Sequence, residues 1–86
     1  GIADNVKSKL NISPNPISEN GIVKVNMPES GAFEMIITNS AGQMIERIQG
    51  NASEGEMVEF VAKQSGIQIV SIKLNGNQYM SKFIVE

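Results

Sequence analysis

The fold of this 86-residue chain is indicated by the stretch Ala32-Phe33-Glu34-Met35-Ile36-Ile37-Thr38. Side chains of a strand alternate between two faces, so Phe33, Met35 and Ile37 would share one face. The residues between them are partly polar, as on a sheet with one wet side. This period of two predicts a β-strand with one face in the core.

Similar segments recur along the chain at intervals of about ten residues, which is typical of an antiparallel sandwich or barrel. Between Ile22 and Val85, no window of helical length lacks a Gly, Pro or Asn break. Turn-forming sequences separate the segments: Pro14-Asn15-Pro16, Asn20-Gly21, Ser40-Ala41-Gly42, Asn51 and Asn75-Gly76-Asn77. The seven predicted strands are Lys9 to Ser13, Ile22 to Met27, Ala32 to Thr38, Gln43 to Ile48, Glu56 to Val61, Gly66 to Leu74 and Gln78 to Val85.

Length and composition predict one domain. Residues 1–8 are polar and aperiodic, so we expect a flexible linker from an upstream passenger domain, followed by a domain over residues 9–86. Residues 1–5 lack the features of a signal peptide, so an export signal would lie upstream. The net charge is −2 with scattered charges, which argues against nucleic acid as a partner. No apolar run is long enough for a transmembrane segment.

The sequence offers little material for catalysis. It has no His and no Cys, which excludes a Ser-His-Asp triad, a thiol nucleophile and the common zinc sites. The acidic residues Glu54, Glu56 and Glu59 form a cluster, but Glu56 and Glu59 would point to opposite faces of a strand. A charged, solvated strand edge explains them better than a catalytic pair. We therefore expect no enzymatic activity, no catalytic residues, no metal site and no cofactor.

The C-terminal third carries apolar residues on both strand faces. Val70 and Ile72 would share one face, whereas Ile67 and Ile69 would lie on the other. Two interpretations remain open: these strands are central and neighbouring loops cover them, or they form an exposed apolar patch that binds a partner.

Four segments, taken in order, resemble a known family. They are Ile12-Ser13-Pro14-Asn15-Pro16, the stretch from Met35 to Ile45, the stretch from Gly66 to Ile72, and the stretch from Asn75 to Val85. This order resembles the type A C-terminal sorting domain of cargo proteins of the Bacteroidetes type IX secretion system. The resemblance covers roughly residues 10–86. It implies an immunoglobulin-like antiparallel β-sandwich of about seven strands.

The resemblance also implies a function and partners. The domain would direct its passenger, after export to the periplasm, through the outer membrane for surface attachment or release. Its partners would be the type IX translocon and shuttle proteins of the outer membrane, together with a sortase-type cysteine peptidase that often removes the domain. Weak homodimerisation through the apolar strands is a further candidate interaction.

Recognition candidates follow from the matching motifs. They are Pro14, Asn15, Pro16, Gly42, Gly66, Tyr79, Lys82, Phe83, Ile84, Val85 and Glu86. A terminal strand of this kind suits docking by strand addition or in a groove. Each candidate also has a purely structural explanation, as turn residue or core strand. The chain departs from the family at Gln68, where an aromatic residue is usual, and at Glu86, where a basic residue is usual.

An alternative from a different class is a fibronectin-like or immunoglobulin-like structural or adhesive module of an extracellular bacterial protein. A spacer of that kind functions in mid-chain, whereas a sorting signal ends the protein.

Overall fold

The computed structural model describes residues 6–13 and 16–86, and within them it contains eight β-strands and no helix. The strands are β1 (Val6–Lys9), β2 (Asn11–Ser13), β3 (Ile22–Asn26), β4 (Gly31–Asn39), β5 (Met44–Ala52), β6 (Met57–Val61), β7 (Gly66–Leu74) and β8 (Asn77–Val85).

The strands form two sheets. The larger sheet has the order β1-β8-β7-β4-β5, and the smaller has the order β2-β3-β6. Neighbouring strands are antiparallel except β1, which runs parallel to β8. The prediction of an all-β antiparallel sandwich of about seven strands is confirmed, with β1 as an additional strand that pairs in parallel.

The core lies between the two sheets. On β4 the burial alternates as predicted, and buried Met35 lies opposite Ile72 of β7 and Ile48 of β5. The rings of Phe60 and Phe83 meet edge to face across the sheets with centroids 5.9 Å apart, a geometry that aromatic pairs prefer. Other core residues include Leu10, Ile17, Val23, Val25, Met27, Ile37, Val70, Leu74 and Val85.

The predicted first strand, Lys9 to Ser13, is divided in the structure. Buried Leu10 separates β1 from β2, and these two strands belong to different sheets. The predicted linker over residues 1–8 does not hold for residues 6–8, since β1 pairs with β8. Strand pairing uses backbone groups, so a polar segment without periodicity can still join a sheet edge.

Strand β5 is longer than predicted. The prediction ended it at Ile48 and placed a turn at Asn51, but Gly50 and Asn51 continue the strand opposite Phe33 and Ala32. A Cβ on Gly50 would lie 3.3 Å from Cζ of Phe33. The glycine therefore fits the strand because it leaves room for an aromatic ring, and it does not mark a turn.

Candidate recognition site

The corner segment, residues 16–21, joins the two sheets at one end of the sandwich. Pro16 is exposed, whereas Ile17 is buried and forms a parallel bridge with Val85. The Ile17 N–H donates to the Ile84 carbonyl at 2.9 Å, and the Glu86 N–H donates to the Ile17 carbonyl at 2.8 Å. Pro14 and Asn15 lie outside the described residues. The corner and the end of β8 are thus one hydrogen-bonded unit.

The far side of the corner segment is attached to the smaller sheet. The Asn20 N–H donates to the Ala62 carbonyl, and the Ala62 N–H donates to the Gly21 carbonyl, each at 2.8 Å. Asn20 has a φ of 71°, a conformation that Asn tolerates better than most residues. A Cβ on Gly21 would lie 2.9 Å from the Ser18 carbonyl oxygen. Asn20 and Gly21 therefore make this tight crossing between sheets feasible.

The candidates on β8 divide by strand face. Tyr79, Phe83 and Val85 point into the core and are buried. Lys82, Ile84 and Glu86 are exposed. In the folded domain, the buried side chains shape the strand and the exposed ones are accessible to a partner.

An apolar cross-strand pair lies at this end of the larger sheet. Ile67 of β7 is directly opposite Ile84 of β8, on the outer face, and the two side chains are 46% and 47% exposed. Lys82 lies beside them, opposite Ile69. The sequence left two interpretations open for strands with apolar residues on both faces. For Ile67 and Ile84, the structure agrees with an exposed apolar patch. Motif comparison alone missed Ile67, although the period-two pattern placed it on the second face.

The two candidate glycines, Gly42 and Gly66, allow backbone conformations that other residues rarely adopt. Gly42 has a φ of 85° and Gly66 a φ of 117°, and a Cβ at either position would meet nothing within 4 Å. The positive φ, rather than close packing, favours glycine at both positions. Gly66 lies opposite Val85, and the hairpin with Gly42 follows Asn39, which pairs with Gln68. Both glycines therefore lie at the same end as the corner segment. We call this the recognition end.

Tyr79 lies at the other end of the sandwich. Its hydroxyl donates to Glu29 Oε2, and Asn77 Nδ2 donates to the same oxygen at 2.9 Å. Asn75 Nδ2 donates to Glu29 Oε1 at 3.0 Å. The hydrogen bond to Glu29, then burial, then the negative charge of Glu29 raise the pKa of Tyr79 above 10.0. This cluster ties the β7–β8 hairpin to the loop before β4, so it is separate from the recognition end.

Gln68, one of the departures from the family, is a buried polar residue. Its side chain is 1% exposed, lies opposite Phe83 on β8, and donates from Nε2 to the carbonyls of Lys63 and Gln64 at 2.6 and 2.8 Å. Its Oε1 has no hydrogen-bond partner in the structure. Gln68 therefore fixes the loop that leads into Gly66, at the cost of one buried unsatisfied acceptor.

The described residues hold neither a metal-binding cluster nor a membrane-spanning helix. Across residues 6–13 and 16–86, no group of three or more His, Cys, Asp or Glu side chains is placed to hold a metal ion. The same residues include no helix of the length and hydropathy needed to cross a membrane.

Comparisons with known structures relate the fold to other proteins. The chain is similar to a superoxide reductase (neelaredoxin) from Ignicoccus hospitalis, with 12% identity and a TM-score of 0.51 over 100% of this chain and 99% of that chain. The T24K variant of that protein has 17% identity and a TM-score of 0.49, over 100% and 86% of the two chains. At 12% identity, the first match shows a shared fold alone.

Sequence comparisons show the family to which the chain belongs. No curated protein matches the chain. The family model for the secretion system C-terminal sorting domain matches residues 11–86, which is most of the chain. This chain therefore belongs to the family of secretion system C-terminal sorting domains, the signals that direct an attached passenger to the type IX machinery for secretion across the outer membrane.

Proposed function

We propose that the recognition end is the surface by which the type IX translocon and shuttle proteins of the outer membrane select the passenger. The exposed pair Ile67 and Ile84 would supply apolar contact area, and Lys82 and Glu86 would supply charged groups at its margin. The domain would thus act as a ligand of the export machinery and not as an enzyme.

One observation carries this proposal: the parallel bridge between Ile17 and Val85. It brings the corner segment, which follows the Ile12–Pro16 motif, next to the last strand, so residues from both ends of the chain would contribute to one surface. It also limits how a partner can bind. Because Ile17 already bonds to Ile84 and Glu86, a partner strand cannot use those backbone groups. Docking onto exposed side chains fits this geometry better than strand addition at this edge.

We also propose that a sortase-type cysteine peptidase removes the domain by cutting upstream of β1, after which the passenger is attached to the cell surface or released. A peptidase requires an extended, unpaired backbone. Residues 6–9 are paired with β8, so we place the cut before Val6. Residues 6–8, which the sequence assigned to a flexible linker, are therefore left out of the proposed cut region.

A passenger fusion tests the proposed function. A reporter with a signal peptide and this chain at its C-terminus is produced in cells with and without a type IX system. We expect surface display or release in the first strain and periplasmic accumulation in the second. Removal of Tyr79–Glu86 should also retain the reporter in the periplasm. Display in the strain without the system would contradict the proposal and favour a structural or adhesive module. Mass spectrometry of the surface form locates the cut.

A further inference from the structure

Strand β5 presents an open edge that the proposed function does not use. Within residues 6–13 and 16–86, β5 pairs only with β4 and forms the outer strand of the larger sheet. The Asn39 N–H donates to the Gln43 carbonyl at 3.0 Å, which fixes the direction of the hydrogen bonds between these strands. Directions alternate along β4, so Met35 and Phe33 also bond to β5, and their partners there are Ile48 and Gly50. The count is made on β4 because β5 has one extra residue between Met44 and Glu46. Arg47, Gln49 and Asn51 therefore direct their N–H and C=O groups outward.

We propose that this edge pairs with the same edge of a second copy of the chain, antiparallel and centred on Ile48. Ile48 is the middle residue of Met44–Ala52, so this register overlaps the whole strand. It places Arg47 opposite Gln49 of the second copy, and the outward backbone groups of these residues bond to one another. The two five-stranded sheets then form one continuous sheet.

The side chains of this register are self-complementary. Ile48 lies opposite its own copy, so the apolar row Ile72, Met35, Ile48 continues across the interface. Glu46 lies opposite Gly50, which has no side chain to obstruct it. Neither position places like charges opposite each other, which would be unfavourable.

The neighbouring registers fit less well. If the centre of the pairing moves by one residue towards the N-terminus, Arg47 lies opposite Arg47 of the second copy. A shift towards the C-terminus shortens the overlap and replaces the Ile48 pair with contacts between Ile48 and Gly50. The central register therefore combines the longest overlap with the largest apolar contact.

The charges on β5 do not prevent this pairing, because each has a partner in its own copy. Arg47 Nε lies 2.6 Å from Glu34 Oε2, and Lys63 Nζ lies 3.3 Å from Glu46 Oε1. Charged residues often protect an open edge, but here they are largely neutralised. The interface is a single strand pair, so we infer a weak, concentration-dependent dimer. Strands β7 and β8, which suggested self-association in the sequence, are interior to the sheet.

Single cysteine variants test the register, since the chain contains no other Cys. In the proposed dimer, the Cα atoms of the two Ile48 residues are about 4.5 Å apart, within disulfide range. Because Gln49 lies opposite Arg47 of the second copy, the two Gln49 residues are two strand positions away from each other, and so are the two Arg47 residues. The Cα atoms of each of these pairs are therefore more than about 7 Å apart. Oxidation should therefore link Ile48→Cys at least about tenfold faster than Gln49→Cys or Arg47→Cys.

Sedimentation velocity of the unmodified chain tests the dimer itself. We expect the dimer fraction to rise with concentration. Gln49→Pro removes an outward N–H without removing a bond to β4, so it should abolish the dimer, whereas Gln49→Thr should retain it. A monomer at every concentration would overturn the proposal. A dimer that survives Gln49→Pro, or that links faster through Gln49→Cys or Arg47→Cys than through Ile48→Cys, would also overturn it.

Discussion

Ile17 and Val85 lie side by side as a parallel β-bridge, although they are 68 positions apart in the sequence. Two backbone hydrogen bonds flank the bridge, one to the Ile84 carbonyl and one from the Glu86 N–H. A segment that begins in a turn is therefore part of the same edge as the last strand. The recognition end depends on this contact.

The first prediction concerns the burial of Ile17. Its side chain is 4% exposed, whereas that of Ile22 is 51% exposed. We expect Ile17→Ala to lower the free energy of unfolding by about 2–5 kcal/mol, since it leaves a cavity in the core. Ile22→Ala makes the same change at the surface and should cost no more than about 0.5 kcal/mol. Chemical denaturation measures both.

Hydrogen exchange gives a local measurement of the same contact. The amide of Glu86 donates to the Ile17 carbonyl, so its exchange should accelerate in Ile17→Ala more than the exchange of amides in β4. Equal acceleration throughout the chain would show that the substitution weakens the whole fold and not the corner in particular.

The second prediction concerns alkaline pH. The folded-state pKa of Tyr79 is raised above 10.0, first because its hydroxyl donates to Glu29. The folded chain therefore holds this proton more tightly than the unfolded chain. The stabilising contribution should be fully present below pH 10.0 and lost as the pH rises through the folded-state pKa. Because Tyr79 is the only Tyr in the chain, tyrosinate absorbance reports this residue alone.

Tyr79→Phe is the matched control for the alkaline loss of stability. It should lower the free energy of unfolding near neutral pH by about 1.5–3 kcal/mol, because a hydrogen bond to a charged group is lost. Above pH 10.0 the free energies of unfolding of the two proteins should converge. An absorbance midpoint for Tyr79 at or below that pH would contradict the prediction.

The third prediction concerns Gln68. Gln68→Met keeps most of the volume and removes the unsatisfied Oε1, while water can replace the lost bonds to the exposed residues Lys63 and Gln64. We expect a change in the free energy of unfolding of less than about 1 kcal/mol. Gln68→Ala leaves a cavity beside Phe83 and should cost about 2–4 kcal/mol. Similar large losses for both variants would show that the two hydrogen bonds dominate.

Local pattern predicted much of the fold. Alternation on β4 placed Phe33, Met35 and Ile37 in the core, where they are buried. A hairpin turn forms where Asn75-Gly76-Asn77 predicted one, but only Asn75 and Gly76 lie in the loop, with φ angles of 53° and 80°, which are characteristic of a two-residue hairpin. Asn77 already belongs to β8 and pairs with Leu74. Such features depend on neighbours in sequence, so a single chain reveals them.

The pairing of strands that are distant in sequence was harder to predict from the sequence. Strand β1 joins β8 through backbone groups, which leave no side-chain pattern. The exposed pair of Ile67 and Ile84 required the register between β7 and β8, which the pattern alone does not fix. Gln68 was visible as a departure from the family, but its bonds to the preceding loop depend on how that loop folds back.

The most direct test of the central claim compares two pairs of exposed residues in the passenger fusion. Ile67 and Ile84 form the pair on the outer face of the larger sheet at the recognition end. Ile22 and Val61 form a directly opposed pair at the same end but on the outer face of the smaller sheet, 51% and 46% exposed, so the comparison tests which of the two faces is recognised. Each pair is replaced by Ser, and circular dichroism confirms folding. We predict that loss of Ile67 and Ile84 retains the reporter in the periplasm, while loss of Ile22 and Val61 leaves secretion unchanged. Normal secretion of the Ile67→Ser, Ile84→Ser protein would contradict the account.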